Sequence, residues 1–192
     1  GSFLSTALWR CNYRYAIDNV MDPMHGAYLH AKSHSMSTGD KSAQMRLSET
    51  GQGWMFEKEN QSGVNFDWVE FADTGTFWMR LAIPYRKNAG PGGNFTIIGF
   101  VTPVTEHVCQ VYFWRVRKVS GWERDTWRFL YKNRLEGLHW DVLEQDRVVL
   151  EAMQDNARTR ESLYQHDAGM TKIRRDLRIL AQKQVNTQTS HA

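Results

Sequence analysis

The chemistry-bearing residues concentrate in one short stretch, Asp18-Asn19-Val20-Met21-Asp22-Pro23-Met24-His25-Gly26-Ala27-Tyr28-Leu29-His30. It supplies acidic, amide and imidazole side chains, the donors that hold first-row metal ions. On an ideal helix, positions five apart lie about 140° from each other, so His25 and His30 would diverge. They converge on one ion only if the helix breaks between or just before them. Pro23 lacks the amide that would bond back to the Asn19 carbonyl, and Gly26 loosens the next turn. Asp22, three residues before His25, is placed on the same face. His34, four residues past His30, competes for its role but lies in a polar stretch. The alternative is that both histidines are ordinary, partly buried side chains.

A third donor comes from periodicity. Stepping 100° per residue along a helix expected over residues 139–164 puts Val142, Leu143, Val149, Leu150, Met153 and Ala157 in one apolar stripe. Asp146 falls near its centre. A carboxylate turned into a core needs a positive partner, because an unpaired buried charge is very costly. Arg147 is adjacent and points elsewhere, which leaves a distant arginine or a bound cation. Two neutral imidazoles and one carboxylate form the facial set that leaves coordination positions open on Fe(II). Zinc on the same donors would instead activate a water for hydrolysis, and spacing alone does not separate the two.

The elements that must position these groups follow an order. Residues 12–34 read as an interrupted helix. Five strand-like runs follow between residues 53 and 116, with a turn at Gly90-Pro91-Gly92-Gly93. Their short connections suit an antiparallel meander. Helices are expected at 121–135, 139–164 and 167–185, and a frayed polar tail at 186–192. Helix, sheet, helices predicts an α+β domain in which helices pack on one curved antiparallel sheet. The alternating aromatics Trp54, Phe66, Trp68, Phe77, Trp78, Phe100, Phe113 and Trp114 are expected to be mostly core.

Composition bounds the rest. The chain has 192 residues, 24 basic and 21 acidic, for a net charge of +3. That balance does not suggest a nucleic-acid partner, and the late run Lys172, Arg174, Arg175, Arg178, Lys183 reads as a solvated helix face. There is no apolar run long enough for a membrane span and no signal-peptide pattern at the start. Cys11 and Cys109 are the only cysteines. They could make one disulfide, but a reducing, cytoplasmic setting is the default, and no zinc-type Cys/His spacing occurs.

Taken together, Asn12-Tyr13-Arg14-Tyr15-Ala16-Ile17-Asp18-Asn19 followed by Asp22, His25 and His30 resembles the iron-site motif of Rieske non-haem iron oxygenases. These are the ring-hydroxylating dioxygenase large subunits and the aromatic O-demethylases. Asp146 and Glu151, within Leu143-Glu144-Gln145-Asp146-Arg147-Val148-Val149-Leu150-Glu151, match the late Asp and Glu of that family. Thr102-Pro103-Val104-Thr105-Glu106-His107, continuing to Trp114, is similar to its monooxygenase-like branch. The similarity spans most of residues 9–165.

The resemblance implies a helix-grip (START/Bet v1-like) fold over residues 1–185. It implies mononuclear Fe(II) on His25, His30 and Asp146, with Asp22 relaying electrons from a neighbouring subunit's Rieske cluster and Asn19 close to the iron. The implied chemistry is O₂ activation with hydroxylation or O-demethylation of an aromatic compound, in aromatic hydrocarbon catabolism. The implied partners are an NAD(P)H-dependent reductase or ferredoxin and two further copies in a homotrimer. A Rieske [2Fe–2S] cluster needs two Cys and two His. Cys11 and Cys109 are isolated here, so the resemblance places that cluster on a segment other than this one and makes this chain inactive alone. A helix-grip domain that only binds a hydrophobic small ligand is the competing reading, because fold does not fix function.

Overall fold

The computed structural model describes residues 1–30, 40–61, 67–73, 75–83 and 93–189. The described residues form seven strands: β1 (Ser2–Trp9), β2 (Met45–Glu49), β3 (Gly53–Lys58), β4 (Trp68–Ala72), β5 (Thr76–Ile83), β6 (Gly93–Thr105) and β7 (Val108–Val116). All neighbouring pairs are antiparallel, in the order β1-β7-β6-β5-β4-β3-β2. The meander from β2 to β7 needs only short links. β1 is different, pairing Ser2 with Val116 and Trp9 with Cys109 across most of the chain. Two of these strands, β1 and β2, were not foreseen from the sequence. The partner of β1 is about a hundred residues away, and β2 is an edge strand with a mostly exposed, weakly alternating face.

The period-2 alternation along the strands divides the sheet into two faces. Trp9, Trp54, Phe56, Phe71, Phe77, Phe113 and the helical Trp127 are all buried in one core on the inner face. The aromatic expectation holds for Trp54, Phe77 and Phe113. It fails for Trp114, which points to the outer face and is 43% exposed. Trp68, Trp78 and Phe100 are half-buried, and Phe66 lies outside the described residues.

The helices are α1 (Tyr13–Val20), α2 (His25–Leu29), α3 (Gly121–Leu130), α4 (Glu136–Glu151) and α5 (Ala168–Thr189). Asn12 caps α1, its side chain accepting the Arg14 amide at 3.0 Å. α3 and α4 form one rod joined by a π-helical turn over Tyr131–Leu135, where a single α-helix to residue 135 had been expected. α4 stops at Glu151, well short of the expected residue 164. The last turn tightens through Ala152 N to Val149 O at 3.2 Å, and Gln154-Asp155-Asn156 then compete for backbone bonds as turn formers do. Conversely, α5 continues through the polar residues past 185 to Thr189. No helix among the described residues is long and apolar enough to cross a membrane.

The basic run on α5 is not a uniformly solvated face. Arg174 reaches back to α1, giving Asp18 hydrogen bonds from Nε at 3.0 Å and Nη2 at 2.8 Å, and it also pairs with Glu161 at 2.5 Å. Burial pushes the Asp18 carboxyl up, and the Arg174 guanidinium pulls against that. Lys172 lies over the Trp54 ring at 4.8 Å. Arg174 thus clamps α5 against the helix that leads into the candidate site, and Lys172 ties it to β3.

Candidate metal centre

The break in the early helix falls at its two ends rather than at Gly26. α1 ends at Val20, Asp22-Pro23 makes the bend, and α2 is continuous from His25 through Gly26 to Leu29. His30 closes α2 with non-helical backbone angles (φ −97°, ψ 32°). That departure from helical geometry turns its ring back toward His25, and the ring centroids lie 5.2 Å apart.

Each imidazole is anchored through Nδ1. The Nδ1–H of His25 donates to the Asp22 carbonyl at 2.5 Å, and that of His30 donates to Gln145 Oε1 at 3.0 Å. This leaves both Nε2 atoms facing α4, where Asp146 Oδ1 lies 3.5 Å from His25 Nε2 and 3.2 Å from His30 Nε2. The three ligand atoms all lie within 4.8 Å of one another. His30 is fully buried and Asp146 nearly so, at 5% exposure.

The apolar stripe that pointed to Asp146 is partly as expected. Leu143, Asp146 and Leu150 are buried, whereas Val149 and Met153 are 46% and 38% exposed. Among the described residues, no arginine pairs with Asp146. Arg147 turns away to Glu144 and Glu151.

Electrostatics show what the cluster requires. Burial pushes the Asp146 carboxyl up, but the hydrogen bonds and charge of His25 and His30 outweigh it and hold it at about 2. Burial pushes His25 down, but Asp146, then Asp22, raise it above its ordinary value. Two imidazole nitrogens and a carboxylate oxygen aimed at one another need a cation between them, either a proton or a metal ion. With the histidines neutral, the set presents three lone pairs to one point. Oxygen and nitrogen donors of this kind suit Fe(II), and the absence of thiolate from the set is consistent with it.

Asp22 lies in the bend between α1 and α2. Its carboxylate Oδ1 accepts the Met24 amide at 2.7 Å, and its backbone carbonyl, not its side chain, holds His25. Burial pushes its carboxyl up, opposed by His25 and the Met24 amide. Asn19 is half-buried near the end of α1 and its carbonyl accepts the Asp22 amide at 3.3 Å. His34 lies outside the described residues. Glu151 Oε1 accepts the Arg10 amide at 2.8 Å, tying the end of α4 to the end of β1.

Gln145 escaped sequence reasoning. Nothing in its type or spacing marks it, since its role depends on α4 passing His30 in space. Outer hydrogen bonds fix the tautomer and ring orientation of metal-ligating histidines. Gln145→Leu is therefore expected to weaken metal binding by about 10- to 100-fold with the fold retained. A competitive chelator titration checks it, and Gln145→Glu should restore much of the loss by accepting the same proton.

Residues 9–183 match the family model of the vanillate O-demethylase oxygenase C-terminal domain. No curated protein sequence matches the chain. Solved structures do match in fold. Dicamba monooxygenase bound to dicamba superposes with a TM-score of 0.67 at 15% identity, covering 96% of this chain and 59% of that one. The terminal oxygenase of carbazole 1,9a-dioxygenase from Nocardioides aromaticivorans IC177 gives 0.61 at 14% identity, covering 89% and 55%. An oxygenase–ferredoxin complex of carbazole 1,9a-dioxygenase gives 0.60 at 15% identity, covering 88% and 52%. The chain thus spans between about half and three fifths of these structures' own lengths.

Proposed function

Because the chain belongs to the family of vanillate O-demethylase oxygenase C-terminal domains, we propose that it is the catalytic domain of a Rieske-type terminal oxygenase, an Fe(II)-dependent aromatic hydroxylase or O-demethylase. The observation that carries this reading is the meeting of His25 Nε2, His30 Nε2 and Asp146 Oδ1 within 4.8 Å in a buried site. A domain that only held an apolar ligand would have no use for three converging donors.

His25, His30 and Asp146 hold the mononuclear iron in this proposal. Bound there, iron supplies reductive activation of O₂ for insertion into an aromatic or aryl-ether substrate. The chain's own part is positional. The Asp22 carbonyl and Gln145 fix the two ring orientations, and Asp146 supplies the negative charge that favours a divalent ion over a proton. Burial of His30 and Asp146 excludes bulk water from two of the three donors.

Electrons come from a [2Fe–2S] Rieske cluster on a part of the protein outside this chain, fed by an NAD(P)H-dependent reductase or a ferredoxin. The ferredoxin bound to a structurally similar carbazole oxygenase supports the latter. Asp22 links that cluster's histidine to the iron site across a subunit boundary in a homotrimer, and Asn19 stands close to the iron. The proposed setting is the cytoplasm, where reduced nicotinamide is available. The aromatic substrates of the structural neighbours, dicamba and carbazole, support an aromatic compound as substrate.

Anaerobic reconstitution tests the reading. One equivalent of Fe(II) per chain is expected, with O₂ uptake once the complete assembly and reductant are supplied. Activity with Zn(II) and no O₂ uptake would instead indicate a hydrolase. Unaltered ligand binding with no metal bound would indicate a simple binding module. Asp22→Asn in the complete assembly should keep its iron yet lose most of its turnover, since only the relay is cut. Normal turnover in that variant would overturn the bridging role.

A further inference from the structure

A second pair of reactive side chains lies apart from the candidate metal centre. Cys109 is on the inner face of β7, opposite Trp9 of β1 and Pro103 of β6. Cys11 lies two residues past the end of β1, in the turn that leads into α1. The two sulfur atoms are 3.9 Å apart, both are free, and both are buried, at 6% and 0% exposure. They are 98 residues apart in sequence.

A sulfur–sulfur separation of this size is van der Waals contact. A disulfide needs about 2 Å between the sulfurs, so closure asks each to move by about 1 Å, within reach of small side-chain rotations. The backbone around them is already held. β1 and β7 are in register up to Trp9 and Cys109, and the Arg10 amide is pinned by Glu151 at 2.8 Å. Closing the pair demands no new strand register.

We propose that Cys11 and Cys109 are an oxidative modification site, closed by a peroxide into an intramolecular disulfide that staples the β1–α1 turn to β7. In this step the Cys109 thiolate attacks one peroxide oxygen, the O–O bond breaks and hydroxide leaves. The Cys11 sulfur then attacks the sulfenic acid so formed. The S–S bond forms, the S–O bond breaks, and the hydroxide that leaves takes the Cys11 proton as water, while the hydroxide from the peroxide takes the proton that Cys109 gave up in becoming a thiolate. In sum, two thiols and one hydrogen peroxide give one disulfide and two waters.

The shared hydrogen bond from the Cys11 thiol holds Cys109 below the ordinary thiol range and pushes Cys11 up, which suits this order of events. The staple acts on the segment that carries α1 toward Asp22 and His25. It closes a long loop, the case in which a crosslink constrains the unfolded chain most.

Hydrogen peroxide added to the metal-free chain tests the proposal, with intact mass, peptide mapping and thermal melting as readouts. Expected are loss of two hydrogen masses, a single Cys11–Cys109 crosslinked peptide, reversal by dithiothreitol, and a rise in Tm of roughly 10 °C. Cys11→Ser and Cys11→Ala should abolish the crosslink and the shift, and either serves if the other fails to fold. Retention of both thiols, sulfinic acid on one cysteine alone, or disulfide-linked dimers would overturn the proposal. A crosslink that leaves Tm unchanged or lower would overturn the stapling role. None of these outcomes depends on the iron assignment.

Discussion

Asp146→Asn is expected to empty the site of iron while leaving the fold in place. The substitution conserves volume, so the packing of α4 between Leu143 and Leu150 is little disturbed. What it removes is the only negative charge among the three converging donors. Removing an outer hydrogen bond to a ligand costs about 10- to 100-fold in metal affinity, so loss of the anionic ligand itself should cost more, at least about 1000-fold by extension of that range. Metal analysis after anaerobic reconstitution should fall from one equivalent to background, with the circular dichroism of the metal-free chain unchanged. His30→Ala should also abolish binding, but with a stability cost of about 2–4 kcal/mol. It opens a cavity in a fully buried position and leaves the buried Asp146 carboxylate with one fewer partner. Full iron retention in Asp146→Asn would refute the three-ligand assignment, whatever happened to activity.

The metal-free and metal-loaded chains should respond oppositely to pH. Asp146 is held at about 2, below its unfolded value, by His25 and His30. Its contribution is present above its unfolded pKa of about 4 and lost as pH falls through about 2. His25 is raised above its ordinary value by Asp146. Its contribution is fully present below about 6.5, the unfolded value, and lost as pH rises through the raised folded value. The pair therefore stabilises the metal-free chain most between about pH 4 and 6.5, by on the order of 2 kcal/mol.

Metal binding has the reverse requirement, because a histidine ligand must give up its proton. The rise in Tm on adding one equivalent of metal should be small near pH 5.5 and grow steadily above neutrality. Melting curves from pH 4 to 9, with and without Zn(II) as a redox-silent probe, measure it. A metal-induced gain that stays flat across this range would show that protons and metal do not compete for these donors.

How much of this was legible in the residues varies with the range of the forces involved. Pro23 announced the bend, because a missing amide is a local fact. Its consequence was not local. α2 remains intact through Gly26, and the convergence of His25 and His30 comes from the bend before the helix and the non-helical closure at His30. Asp146 was legible as a charge misplaced in an apolar stripe. The stripe's outer members Val149 and Met153 face solvent, Val149 because the end of α4 is covered on a narrower arc than periodicity assumed and Met153 because the helix has already stopped at Glu151. Asp22 and His25 do act on each other, but through the bend: the Asp22 carbonyl holds the His25 ring and its carboxylate raises the His25 pKa. Arg174 read as one cation in a basic run and is a half-buried clamp on Asp18.

By itself the sequence determined what local periodicity and side-chain chemistry can determine. Those were an α+β order, a meander of short-linked strands, a broken early helix bearing two imidazoles, and one carboxylate set against its surroundings. Only the tertiary structure decided that β1 pairs with β7, that Gln145 meets His30, that Cys11 touches Cys109, and that Asp146 stands between two histidines rather than beside an arginine. Each of these joins residues about a hundred positions apart, and hydropathy periods carry no information at that separation. Such pairings are selected by the collective burial of a shared core, which assigns each helix its place on the sheet and brings the donors together.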